Sequence, residues 1–152
     1  MGETIDFDKE IAETKRQSGF RSLIGYKTIE WRQGYSEILL RLDDKHMNIR
    51  MNPHGGLYVV VIDSAMGHAA TFCPVANHQR ICVTTSLQSN FLAPAKDCMR
   101  VCATLIGVDG RIATCRAEVT DSHGTLCNVA QGSFLYMPGS EKLDGVPVKD
   151  DA

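Results

Sequence analysis

This chain of 152 residues is as informative in what it lacks as in what it holds. No apolar run reaches the roughly 18 residues that a membrane-spanning helix needs. Neither sign of charge dominates, since 16 Lys and Arg stand against 18 Asp and Glu for a net charge of −2. The strong basic field that draws proteins to nucleic acid or anionic lipid is therefore missing, and neither is expected as a partner. The opening residues Met1-Gly2-Glu3-Thr4-Ile5-Asp6 lack the charged-then-apolar profile of a signal peptide, so a soluble cytoplasmic protein is the expectation. Six cysteines, at 73, 82, 98, 102, 115 and 127, form no C-x-x-C pair, which removes zinc-knuckle and dithiol chemistry; most read as reduced core residues. Neither H-E-x-x-H nor G-x-S-x-G occurs, so nothing supports a zinc protease or a nucleophile elbow.

The hydrophobic content, 43%, is enough to build the core of a single domain. Residues 1–18 read as a partly helical N-terminal extension, 19–137 as the folded domain and 138–152 as a flexible tail. The tail has few large apolar groups and contains Pro138, Gly139, Gly145 and Pro147. Leu23–Arg32 and Tyr35–Leu42 are rich in β-formers around Gln33-Gly34 and predict an opening antiparallel pair. Further strands are predicted over Arg80–Leu92, Met99–Val108, Ile112–Thr120 and about Leu126–Met137. Asp109-Gly110 and Ser122-His123-Gly124 supply the turns between the last three. Alternation along Arg80–Leu92 puts Ile81, Val83, Thr85, Leu87 and Phe91 on one side. Leu57–Ile62 has strand-like propensity, but the segment runs on through Asp63-Ser64-Ala65-Met66-Gly67-His68-Ala69-Ala70 without a turn residue until Pro74, which favours a buried helix. The fold class is then α+β, with an antiparallel sheet curling around one central helix.

Asp63 closes the most hydrophobic run of the protein. A carboxylate beside a core is costly unless it is paired or used, so it is either a hydrogen-bonded structural aspartate or a general base or nucleophile. On a helix it shares a side with Gly56, Val59, Val60, Met66, Gly67 and Ala70, small enough in part to let another body approach. His54-Gly55-Gly56 stands where that helix begins. Free N–H groups and the positive end of the dipole favour negative charge there, although two glycines also simply make a tight turn. The nine residues from His54 to Asp63 span about 13 Å of helical rise, so donor and acid flank a bound group only if the ligand spans them or a second chain supplies one of them, and the spacing favours a site between two chains. No metal is expected: His54, Asp63 and His68 are the nearest candidates and do not share a helical face. His46, His78 and His123 fall in predicted loops and read as solvent-exposed.

The ordered set Asn48-Ile49-Arg50-Met51-Asn52-Pro53-His54-Gly55-Gly56, Asp63-Ser64-Ala65-Met66-Gly67, Asn90-Phe91-Leu92-Ala93-Pro94-Ala95, Asp109-Gly110-Arg111 and Ala130-Gln131-Gly132-Ser133-Phe134 resembles a hotdog-fold acyl-CoA thioesterase. Within the 4-hydroxybenzoyl-CoA thioesterase superfamily the likeness is to the phenylacetate-pathway, PaaI-like type, and it covers about residues 19 to 137. The resemblance implies a helix wrapped by the sheet, and chains joined edge to edge into a homodimer or a dimer-of-dimers tetramer with the site at the subunit interface. It implies Asp63 as the catalytic carboxylate, Gly55 as the N–H that polarises the thioester carbonyl, and His54 and Asn48 as groups orienting carbonyl or water. Thr84 would be a hydroxyl near the acid, contributed across the interface, with Thr85 and Ser86 as neighbours able to replace it. Gly56, Lys96 and Arg111 would meet coenzyme A, which is part of the substrate, so no separate cofactor is implied. One departure is Asp97-Cys98 after Lys96, where relatives often carry Gly-Asp. A non-catalytic acyl-CoA-binding protein and an enoyl-CoA hydratase or dehydratase using His54 and Asp63 are the alternatives.

Overall fold

The computed structural model describes residues 18–149. In chain order the elements are α1 (Gly19–Ile24), β1 (Lys27–Arg32), β2 (Tyr35–Arg41), a 3₁₀ turn (Asp44–His46), α2 (Gly55–Thr71), β3 (His78–Gln79), β4 (Cys82–Phe91), β5 (Cys98–Asp109), β6 (Ile112–Thr120), β7 (Leu126–Tyr136) and β8 (Val146–Pro147). Six strands form one antiparallel sheet in the order β1-β2-β5-β6-β7-β4, so β4 is an edge strand. Among the described residues no helix is long and apolar enough to cross a membrane.

The apolar run of α2 is helical because its alternatives are worse. Leu57, Tyr58, Val61, Ile62, Ala65, Met66, Ala69 and Ala70 fall at helical spacing on one side, and all are buried. They lie against the inward side chains of the sheet, among them Ile38, Leu40, Met99, Val101, Val119 and Phe134. Each fully buried large aliphatic side chain contributes on the order of 2 kcal/mol, which overrides the strand propensity of four β-branched residues. The close approach of α2 to β7 requires Gly132: a Cβ there would lie 2.9 Å from the Met66 side chain and 3.1 Å from the Ser86 carbonyl. The opposite stripe of α2, with Val59, Val60, Asp63 and Gly67, is only partly covered by the described residues.

Three expectations need correction, and one falls outside the described residues. The first strand does not start at Leu23; Ser18 accepts the Arg21 N–H and Gly25 stops the turn in a left-handed conformation, so Gly19–Ile24 is a short helix. The expected extension 1–18 lies outside the described residues except for that capping Ser18. Residues 138–149 are not a loose tail. They fold back so that β8 pairs with β3, Arg80 donates to the Ser140 and Glu141 carbonyls, and Gly145 sits at φ +62 against Gln79, where a Cβ would come within 2.4 Å of its carbonyl oxygen. His46 is buried at 5% exposure, its Nδ1 accepting from the Asp43 N–H and its Nε2 meeting the Ile24 carbonyl.

Candidate active site

The N-terminus of α2 is built by the loop before it. His46 is locked inside, and its carbonyl accepts the His54 N–H at 2.9 Å. His54 is the N-cap: its extended backbone turns the chain, its Nδ1 accepts the Gly56 N–H at 3.0 Å, and its carbonyl accepts the Leu57 N–H at 2.9 Å. A helix leaves its first N–H groups without intrahelical partners. Here those of Gly56 and Leu57 are taken, and the Gly55 N–H is left without a partner among the described residues. The His54 imidazole therefore serves the cap, with its proton assigned to Nε2.

Asp63 lies two turns further on, on the partly covered stripe of α2. Thr84 Oγ1 donates to Asp63 Oδ1 at 2.6 Å, within the same chain, where the resemblance implies a hydroxyl arriving from across an interface. A β-bulge makes this contact. Thr84 pairs with Phe134, but Ser86 already pairs with Ser133, so Thr85 is an extra residue in β4. The bulge splits the apparent alternation of Arg80–Leu92: Cys82 and Thr84 face the helix on one side of it, Leu87, Ser89 and Phe91 on the other. Thr85 instead donates to the Ser133 carbonyl. Burial and then the neighbouring Asp63 charge push the Cys82 thiol up to about 11, so no thiolate accompanies the carboxylate at neutral pH.

The remaining residues separate. Asn48 Oδ1 accepts the N–H groups of Arg50 and Asn52, committing that oxygen to its own loop. Lys96 precedes β5 and Arg111 follows it, so the length of a 12-residue strand, on the order of 40 Å, lies between them. Gly55 and Asp63 are eight residues apart on α2, about 12 Å of rise, and likewise do not converge. Among the described residues no three His, Cys, Asp or Glu side chains could hold a metal ion.

A cavity of about 250 Å³ opens beside Gly55, between Pro53 and Tyr58 on one side and Phe91, Leu92, Ala93 and Pro94 on the other. Sequence reasoning assigned no role to Tyr58 or Phe91, although Phe91-Leu92-Ala93-Pro94 stood within a recognised motif. The available signal was an aromatic residue just before the turn that follows the edge strand.

Solved structures share this architecture. A conserved protein of Pseudomonas aeruginosa superposes with a TM-score of 0.73 at 24% identity, covering 80% of this chain and 95% of its own. A thioesterase of Haemophilus influenzae gives 0.70 at 18% identity over 78% and 82%. The PaaI protein from the phenylacetic acid degradation operon of E. coli gives 0.69 at 16% identity over 79% and 85%. At these identities the likeness establishes the hotdog fold: a six-stranded antiparallel sheet around one main helix, as the sequence implied. No curated protein sequence matches the chain. The family model of the thioesterase superfamily matches residues 52–128, from just before α2 into β7. This chain, with a half-buried Asp63 and an open amide on its central helix, belongs to the thioesterase superfamily.

Proposed function

We propose that this protein hydrolyses acyl-CoA thioesters at a site shared by two copies of the chain. Asp63 accepts a proton from water as the resulting hydroxide adds to the thioester carbonyl, or its carboxylate adds to that carbonyl directly. The developing oxyanion accepts the Gly55 N–H. The C–S bond then breaks and coenzyme A leaves as the thiol, its proton coming from Asp63 in the first route; in the second the acyl group stays on Asp63 as a mixed anhydride until water hydrolyses it, freeing the acid and supplying the proton. The observation that carries the reading is the pair of unspent groups on one helix: a carboxylate oriented by Thr84 on a partly covered face, and the Gly55 N–H.

Two chains reconcile their separation. An edge strand that pairs with its own copy about a two-fold axis does so antiparallel. Centred on β4, such pairing sets the Thr84–Asp63 end of one chain beside the Phe91–Gly55 end of the other. Lys96 and Arg111 would then serve coenzyme A phosphates from different chains, and His54 would act through the cap that leaves the Gly55 N–H open. Membership of the PaaI-like type belongs to the same proposal, supported by the sequence motifs quoted above.

Asp63→Asn tests the reading. It should stay folded and lose hydrolysis of an acyl-CoA panel, read by thiol release, by several powers of ten; near-normal turnover would overturn the assignment. A single turnover in heavy-oxygen water separates the two routes, because label in the Asp63 carboxylate marks direct attack.

A further inference from the structure

Resting on the thioesterase reading, we propose that the cavity beside the head of α2 receives the acyl group of the thioester, that this group is uncharged and apolar, and that Phe91 sets its length. The cavity is bounded by Gly55, whose N–H is the one open to a carbonyl oxygen, so a thioester polarised there has its acyl carbons next to the cavity. The lining residues carry no charged side chain. Their one polar side-chain atom, the Tyr58 hydroxyl, already accepts the Ala95 N–H at 2.8 Å. A dicarboxylic acyl group would bury a charge with no partner, and the two amides of a pantetheine arm would find no side chain to bond. The volume, about 250 Å³, falls below the range usual for sites that enclose a whole drug-sized ligand. An aryl ring or an aliphatic chain of moderate length fits it; a long fatty chain does not.

Of the two aromatic walls only one is free to set the depth. Tyr58 is buried at 3% exposure and pinned through Ala95. Phe91 is 56% exposed at the end of an edge strand and meets Tyr58 edge-on, with centroids 5.6 Å apart at 82°. Its ring lies 3.6 Å from where a Gly55 Cβ would stand. It thus covers the reactive end of the cavity without being held by the core of its own chain, so changing its size changes the space beside the carbonyl, and a mass measurement on each variant shows that the pairing of copies is kept.

The test is calorimetric binding of S-alkyl thioether analogues of coenzyme A, from ethyl to dodecyl, with a carboxyalkyl analogue, to wild type, Phe91→Ala and Phe91→Trp. Wild-type affinity should rise about fourfold per methylene up to a medium chain and then stop rising, with the carboxylate at least about tenfold weaker than its uncharged counterpart. Phe91→Ala should carry the rise to longer chains, and Phe91→Trp should end it earlier. A profile that neither variant moves, a carboxyalkyl analogue bound as tightly as the alkyl one, or affinity independent of chain length would overturn the proposal. Hydrolysis of the matching acyl-CoA thioesters separates the two readings. Chain-dependent binding without turnover leaves the cavity assignment standing and removes the thioesterase, whereas turnover with a profile indifferent to Phe91 does the reverse.

Discussion

At the scale of single residues, the account turns on how one N–H is kept open. His54 spends its imidazole and its carbonyl on the two amides beyond Gly55, and its own N–H on His46. What remains is a donor at the positive end of a 17-residue helix. This makes a clean test available, because proline is well tolerated at the first helical position. It also demands an extended residue before it, and His54 already has φ −61 and ψ 134. Gly55→Pro should therefore fold with an unchanged or raised melting temperature while kcat falls about 100-fold to 1,000-fold, the usual effect of removing one oxyanion donor. Wild-type turnover in a well-folded Gly55→Pro protein would show that the amide is not used. His54, Gly55 and Asp63 were readable in the sequence because helix starts and charges beside apolar runs have local signatures. Thr84 was assigned by resemblance, since its orientation depends on the bulge at Thr85, and a one-residue insertion relative to a neighbouring strand leaves no mark in the strand itself.

At the scale of elements, the long strands followed from periodicity and turn residues, and α2 from the length of its run together with the family resemblance; the predicted bounds shift by only a few residues. The errors came where a short-range cap or a distant partner decided the outcome. Ser18 and Gly25 make a helix of a β-rich stretch. The tail is held by Arg80 and by β3, residues some 60 positions away that its own composition cannot announce. The join between α2 and β1 carries a pH dependence. His68 stands against Trp31, whose indole N–H donates to the His68 carbonyl at 2.8 Å, and near Thr28. Burial, with a smaller contribution from the Arg21 charge, pushes its imidazole down to about 4. The folded protein thus refuses a proton that the unfolded chain accepts near 6.5. Stability from this group is fully present above that value and is lost as pH falls towards 4, at most about 3 kcal/mol. Urea unfolding at pH 7 and pH 5 should show the loss in wild type and a flatter response in His68→Gln; equal slopes would mean that His68 stays solvated.

At the scale of the whole molecule, one chain is left with an unfinished surface. Among the described residues β4 has no strand on its outer side, and Val83, Phe91 and Leu92 are about half exposed on it or just beyond it. Val59 is exposed and Asp63 half-buried on the adjoining helix. Free strand edges and apolar patches of this kind invite another copy of the same surface, and the helix geometry gives that copy a chemical reason. Asp63 and Gly55 are too far apart to act on one carbonyl unless they come from different chains. Length, charge and motif order pointed to the family, but no single sequence displays its own partner across an axis.

The most direct measurement mixes two inactive chains, Asp63→Asn and Gly55→Pro, by co-expression or by unfolding and refolding together. If each site takes its acid from one chain and its amide from the other, a mixed dimer holds one intact site. Random mixing should then restore about a quarter of wild-type hydrolysis. Activity that stays at the level of the separate variants, in dimers shown by mass to be mixed, would contradict a site shared between chains.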